Sequence, residues 1–287
     1  MNTSSVVGAV FLVVAALVTP YAALGQHGFA FTKTVDPSGE ADYTSIQDAI
    51  DACLTPGANE RYTVLIYAGV YDDEALTLDN ADPRIDLVGV DRDAVIIKPP
   101  ADTDAITIQG DGARNNTIRN LTIITDDDDQ DQGRGVVVKE QTTGGTPTAV
   151  KIVDVTIKCE GEKSNAIDIE ERAQDIEIRN VHVTCNGKAS TGIYVAAPVA
   201  NALIRDVTIK TTHGNGIEIT SAANAQGKRC NNIDIEDVHI ECCGSGSYAL
   251  KGHGAKSIPG GRRVRIDAIT LYAEADTSGK VSPARKP

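Results

Sequence analysis

The stretch Asp175-Ile-Glu-Ile-Arg-Asn-Val-His-Val-Thr-Cys185 is followed, 26 residues later, by Asn201-Ala-Leu-Ile-Arg-Asp-Val-Thr-Ile-Lys-Thr211. Each reads as a short strand, a doublet ending in Asn or Asp, and a second short strand. The doublet recurs at Arg119-Asn120, Val153-Asp154, Arg179-Asn180, Arg205-Asp206 and Glu236-Asp237, with a degenerate copy at Asp267-Ala268. Its second members lie 34, 26, 26, 31 and 30 or 31 residues apart. Around it, apolar and polar residues alternate. Ile176, Ile178, Val181 and Val183 form one apolar set, and Leu203, Val207 and Ile209 another. A period of two turns one side of a strand inward and the other outward. Asn and Asp tolerate left-handed backbone better than any residue but glycine, so they suit a sharp bend between strands. Repeated once per coil, they should stack into a column.

A further strand completes each repeat, over 105–109, 136–139, 166–170, 192–196, 216–220 and 248–251. Three strands in about 25 to 31 residues match a solenoid coil, which buries its inner side only against neighbouring coils. A β-propeller blade needs about 40–45 residues, and a leucine-rich solenoid needs a Leu/Asn frame that this chain lacks. Upstream, Thr44 and Gln47 have capping-box spacing. Ile46, Ala49, Ile50, Cys53 and Leu54 line one helical face. A helix over about 45–54 is therefore expected to cap the open end of the stack. Strands over 63–67, 75–78, 85–88 and 95–98 begin it.

The chain has 287 residues, a net charge of −13, no Trp and 4% aromatics. β-branched aliphatics must fill its core, as strands prefer. The charge argues against nucleic acid, whose phosphates need Lys and Arg. It argues equally against unaided binding of a polyanion. An acidic polysaccharide would need a cation bridge or a local basic patch. An apolar run over 6–18, broken at Pro20 and followed by Ala23-Leu24-Gly25, reads as an export signal cleaved before Gln26. The rival reading is an uncleaved anchor. The expected organisation is a signal peptide over 1–25, one domain over 26–272 and a loose tail over 273–287. That makes the protein secreted, with no membrane association after cleavage. Export makes disulfides available to the six cysteines, and the absence of Cys-x-x-Cys excludes zinc-type spacing.

Three stretches, Tyr43-Thr-Ser-Ile-Gln-Asp-Ala-Ile50, Val64-Leu-Ile-Tyr-Ala-Gly-Val-Tyr71 and Ile85-Asp-Leu-Val-Gly89, resemble the start of pectin methylesterases and related pectin-lyase-like proteins. The resemblance covers about a quarter of the chain. It implies an all-β, right-handed parallel β-helix with three-strand coils and a short N-terminal capping helix. It also implies a polysaccharide as partner. The family's Gly-x-Tyr-x-Glu becomes Gly69-Val-Tyr-Asp-Asp73 here. Its catalytic Gln-Asp-Thr-Leu, Asp-Phe-Ile-Phe-Gly and Leu-Gly-Arg-Pro-Trp motifs do not occur, so its Asp pair has no counterpart. Later, Gly252-His253-Gly254 and Arg265-Ile266-Asp267 resemble polygalacturonase motifs. Near Ser164-Asn165-Ala166 and Asn215-Gly216, that family's carboxylate motifs are not matched.

With the third strands aligned, one outward column reads Thr107, Val137, Asp168, Tyr194, Glu218, Ala249. The next reads Gln109, Lys139, Glu170, Ala196, Thr220, Lys251. At strand spacings of about 4.8 Å, Asp168, Glu170 and Glu218 surround Tyr194. These carboxylates, with His253, are the candidate acid–base groups, and Tyr194, Lys139, Lys251 and His213 the candidate sugar contacts. The competing reading is a solvated strand face in an acidic protein. The run 126–131 offers Asp127, Asp129 and Asp131 as calcium ligands, against the alternative of a solvated charged loop. Cys159 and Cys185 share inward parity on consecutive coils, within reach of a disulfide. Two stacked buried thiols are the alternative. Three functional readings follow: a pectin- or uronan-active lyase, hydrolase or esterase; a non-catalytic carbohydrate-binding or surface-structural β-helix; and a fibre or adhesin module.

Overall fold

The computed structural model describes residues 30–53, 61–79, 84–110, 113–125, 133–140, 145–170, 172–196, 198–220, 230–242, 247–252 and 264–273. The expected signal segment, the run 126–131, His253 and the tail beyond 273 lie outside the described residues. Strand β1 (Ala30–Val35) and helix α1 (Ile46–Asp51) lead into the first coil of β2 (Arg61–Ile66), β3 (Gly69–Asp72) and β4 (Leu76–Leu78). Next come β5 (Ile85–Gly89), β6 (Val95–Lys98) and β7 (Ile106–Gln109), then β8 (Thr117–Thr125) and β9 (Val136–Lys139). The stack continues through β10 (Lys151–Cys159), β11 (Ile167–Ile169), β12 (Gln174–Arg179), β13 (His182–Val195) and β14 (Ala200–Ile219). It closes with β15 (Asn231–Cys242), β16 (Leu250–Gly252) and β17 (Val264–Ala273). The pairings between coils are parallel, such as β2 with β5, β10 with β8 and β12, and β14 with β15. This is a β-solenoid, as the repeat requires.

Register locks the inward positions into aliphatic columns. Val64, Leu87, Ile118, Ile152, Ile178, Ile204 and Ile235 stand one above another, and all are fully buried. Each such side chain contributes roughly 1.5–3 kcal/mol by leaving water. Leu203, expected inward, instead points outward and is partly exposed, while Ala202 and Ile204 fill the core. The sequence offers apolar residues at both parities there, and pairing of Ile178 with Ile204 decides which side wins.

The expected bend column is present. Asn120, Asp154, Asn180, Asp206 and Asp237 have φ of 60, 57, 52, 54 and 51°. Asn120 Nδ2 donates to the Gly89 carbonyl at 2.7 Å, and Asn180 Nδ2 to Asp154 Oδ1 at 2.6 Å. Gly89 occupies the preceding place because a Cβ there would lie 2.1 Å from the Asn120 oxygen. A second left-handed column, unforeseen from the sequence, opens each coil at Arg84, Asn115, Ala149, Asp175, Asn201 and Asn232. Its amides also ladder, Asn201 to Asp175 at 2.8 Å and Asn232 to Asn201 at 2.9 Å.

Helix α1 covers the N-terminal end and buries Ile46, Ala49 and Ile50. Its cap differs from the expected Thr44–Gln47 box. Val35 pairs with Tyr43, immediately before the expected cap residue Thr44. Ser45 then becomes the N-cap, accepting from the Asp48 amide at 3.2 Å. Gln47 turns to β4 instead, where its Oε1 accepts from the Thr77 amide at 2.8 Å. Glu74 accepts from the Ile46 amide at 3.1 Å, so a side chain of the first coil finishes the cap.

Candidate active site

The face built from β4, β7, β9, β11, the end of β13, the end of β14 and β16 carries the candidate residues. Its inner column is Leu76, Ile106, Val136, Ile167, Ile193, Ile217 and Leu250. The outward column next to it is Thr77, Thr107, Val137, Asp168, Tyr194, Glu218 and Lys251. The Asp168–Tyr194–Glu218 row is thus in the expected register. Ala249 is not in it. Lys251 takes that place, two residues along, and its Nζ pairs with Glu218 Oε1 at 3.1 Å. The shift has a packing cause. Just before each strand runs a column of small residues, Ala105, Gly135, Ala166, Gly192, Gly216 and Ala249. Gly135, Gly192 and Gly216 sit against the backbone of the next coil, and a Cβ on Gly216 would lie 2.5 Å from the Ala249 oxygen. Ala249 belongs to that column, so the following outward place falls to Lys251.

One step further back lies a polar column: Asp104, Arg134, Asn165, Thr191, Asn215 and Tyr248. It was not legible as part of the site, and it organises everything beside it. Arg134 Nε and Nη2 donate to the two Asp104 oxygens, each at 2.9 Å. Its Nη1 donates to Asp168 Oδ2 at 3.1 Å and also to the Glu170 carboxylate. The centre of the patch thus holds a guanidinium, with only 18% of its side chain exposed. Asn165 and Asn215 play matching parts. Each lies three residues before a carboxylate. Asn165 Nδ2 donates to Asp168 Oδ2 at 3.0 Å, and Asn215 Nδ2 to Glu218 Oε2 at 2.7 Å. Each also accepts a backbone amide from the next coil, Thr191 and Tyr248 respectively, at 3.1 Å. The side-chain amides therefore fix both acids to the coil above.

The two carboxylates differ in how their oxygens are partnered. Asp168 is 4% exposed. Burial pushes its acid above the ordinary range, against the pull of Asn165 and Arg134, with Glu170 adding a small upward push. Its Oδ1 is buried and has no hydrogen-bond partner. Glu218 has Lys251 on one oxygen and Asn215 on the other. Between them, the Tyr194 hydroxyl is raised by burial and by the fields of Asp168, Glu218 and Glu170. Burial opposes the charge on Arg134, but hydrogen bonds to Asp104 and Glu170 more than restore it and hold the guanidinium firmly charged.

No protein-family model and no curated protein matches the sequence. Among solved structures, the chain is similar to a pectin methylesterase mutant in complex with a hexasaccharide. The TM-score is 0.53 at 14% identity, over 85% of this chain and 80% of that one. It is also similar to the catalytic domain of a GH87 α-1,3-glucanase in complex with nigerose, with a TM-score of 0.54 at 13% identity. That match covers 90% of this chain and 46% of the glucanase domain, so the chain spans about half of its length. The same domain in complex with tetrasaccharides gives a TM-score of 0.55. The fold is a right-handed parallel β-helix. At such identities the likeness concerns the backbone alone.

The β-helix places the other candidates as follows. Lys139 is in register with Gln109, at the end of the face beside Glu170. His213 lies exposed within β14, two residues before Asn215, in register with Lys188 rather than with the acids. His253 and the calcium candidates Asp127, Asp129 and Asp131 lie outside the described residues. Among the described residues, no group of three or more His, Cys, Asp and Glu could hold a metal ion. Cys159 and Cys185 do stack in register and are fully buried, but both are free thiols; the expected disulfide is not formed. A hydrogen bond with Cys159, together with burial, holds the Cys185 thiol protonated. A shallow concavity of about 460 Å³, lined by Asn201, Leu203, Asn232 and Asp234, lies on a different face and gathers no comparable acid pair.

Proposed function

We propose that the protein is directed at polysaccharides and that the face around Tyr194 works as an inverting glycoside hydrolase site. One observation carries the reading: two buried carboxyls stand two coils apart on one face, and their oxygens are partnered differently. Burial favours the protonated form of Asp168, whose Oδ1 has no partner although Arg134 holds Oδ2, whereas Glu218 has a partner on each oxygen. Environments that pull two acids apart assign an acid and a base. Two coil steps separate them by roughly 10 Å, at the upper edge of the roughly 6.5–9.5 Å that inverting enzymes use to admit a water. Asp168 would give its proton to the departing glycosidic oxygen. Glu218 would take one from the water that attacks the anomeric carbon from the other side. One C–O bond breaks and one forms, with inversion. Tyr194 offers a ring for a sugar to stack on.

The test is reducing-end release from a panel of soluble polysaccharides, with the anomer of the first product read by NMR. Asp168→Asn and Glu218→Gln should each lower kcat by about 10²–10⁴-fold. Retention of configuration, or full activity in either variant, overturns the assignment. A second reading is favoured by the closed network in which Arg134 holds Asp104, Asp168 and Glu170. Such a network suits a rigid, non-catalytic carbohydrate-binding face. Binding that Asp168→Asn weakens, with no reducing ends released by the parent, would establish it.

A further inference from the structure

We infer that this face takes a neutral polysaccharide and turns uronans away, an inference that rests on reading the face as the active site. A uronan carries a carboxylate on each sugar, so a protein that holds it must present cations free to pair. At the centre of the face none is free. All three guanidinium nitrogens of Arg134 are committed: Nε and Nη2 to Asp104, and Nη1 to Asp168 and Glu170. Lys251 Nζ is held by Glu218 at 3.1 Å. A sugar carboxylate would have to displace a carboxylate that the fold already fixes at short range.

The charge balance points the same way. With Asp168 holding its proton, Asp104, Glu170 and Glu218 balance Arg134, Lys139 and Lys251, three acids against three bases, so the face has no excess positive charge for a polyanion. The whole chain adds a net charge of −13 of the same sign. At the rim, Arg172 is paired with Glu140 at 2.7 Å and adds no uncommitted cation. What the face does offer suits hydroxyl groups. Carboxylate oxygens accept from them, and the buried, unpartnered Oδ1 of Asp168 waits for a polar atom. An unpaired buried oxygen beside a charged network calls for a ligand or water to complete it. Tyr194 is partly exposed between the acids, and Tyr248, in the column behind, is 55% exposed. Both rings can stack on uncharged hexoses.

The experiment is affinity electrophoresis of the full chain in gels containing a soluble α-glucan, a soluble β-glucan, a mannan, polygalacturonate or alginate. Each is run with and without calcium, at low and high salt. At least one neutral polymer should retard the parent, equally at both salts, since screening leaves uncharged partners untouched. Asp168→Asn combined with Glu218→Gln should weaken that retardation at least about tenfold in Kd, or about 1.4 kcal/mol. Neither uronan should retard the parent. Asp104→Asn combined with Glu170→Gln frees most of the Arg134 fork and should create uronan retardation that high salt removes. If that pair fails to fold by circular dichroism, Glu170→Gln alone, which keeps Asp104 on Arg134, should show a smaller gain. Uronan retardation of the parent, abolished by the Asp168/Glu218 variant, overturns the neutral class while keeping the site. A folded release variant that still ignores uronans also overturns the neutral-class inference. Retardation untouched by the Asp168/Glu218 variant, or no retardation by any polymer, overturns the site reading itself.

Discussion

Arg134 holds more of the site together than any other residue. It is mostly buried and shared by three carboxylates, Asp104, Asp168 and Glu170. Removing one partner of a buried ion network leaves charges without compensation and costs about 3–5 kcal/mol. Arg134→Met should cost that much in denaturant unfolding at pH 7. Arg134→Lys should recover only part of it, because an ammonium cannot reproduce the fork on Asp104. Asp168 behaves in the opposite way. Its native acid is pushed up by burial, so the folded state holds its proton more tightly than the unfolded chain. Its contribution to stability is full below the ordinary carboxyl range and is lost as pH rises through the raised native value. Asp168→Asn should therefore raise Tm at pH 7, and the gain should fade as pH falls towards 4. A loss of stability at pH 7 would mean that pairing with Arg134 outweighs burial. Asp168, Tyr194 and Glu218 were legible in the sequence because they lie inside strands, where a period of two fixes direction. Arg134, Asn165 and Asn215 were not. Arg134 and Asn165 precede their strands, where alternation carries no information about which way a side chain turns, and Asn215 lies in a stretch of β14 that Gly214 and Gly216 flank without any apolar alternation.

At the scale of the element, the coil is shaped by its bends and by the small residues beside them. Asn180 holds φ of 52° and donates to Asp154 at 2.6 Å. Asn180→Ala should cost about 1–2 kcal/mol from left-handed strain alone. Asn180→Gly should cost less, losing only the amide bond, and the comparison by urea unfolding isolates the two effects. Gly192 lies in the small-residue column, where a Cβ would meet Ile209 Cγ2 at 2.5 Å and the Gly216 oxygen at 2.7 Å. Gly192→Ala should be destabilising and should also displace Tyr194, two residues on. The doublet column was readable because five consecutive copies carry Asn or Asp, with Gly89 and Ala268 only at its two ends. The second column was not, because Arg84 and Ala149 share it with the Asn and Asp residues. A mixed column shows only once the register is known. The N-terminal cap failed in the sequence by one residue: two overlapping matches compete at 44–48, and the pairing of Val35 with Tyr43 selects the later one.

Over the whole molecule, stability is distributed along the stack, since each coil rests only on its neighbours. A cross-link between coils would act on that scale. Cys159 and Cys185 are side by side, 26 residues apart in the chain, and a disulfide closing such a loop is worth about 3–4 kcal/mol. In the folded β-helix both thiols are buried and Cys185 is held protonated, which slows attack on an oxidant. We expect the bond to form only if oxidation precedes closure of the stack. Peptide mapping without reduction should find the Cys159 and Cys185 peptides linked after oxidative refolding, and unlinked after oxidant is added to folded protein. Linkage in the second sample would show that the thiols are reachable. The architecture itself was legible from the recurrence of one doublet and the alternation around it, because a solenoid writes the same constraint into every coil. Function was less legible, because its groups come from three columns and only one of them is a strand column throughout.

Among the described residues, the outward column from Thr77 to Lys251 crosses seven strands at a fixed spacing, and its six steps amount to roughly 29 Å. That makes the face a gauge. Asp168 stands three steps from the Thr77 end, and Glu218 stands one step from the Lys251 end. A glycan lying along the stack therefore meets a long arm on one side of the reactive pair and a short one on the other. Affinity should climb with oligosaccharide length until the gauge is filled and then level off. Cleavage of a defined oligomer should give unequal fragments, the larger one drawn from the arm that begins at Thr77.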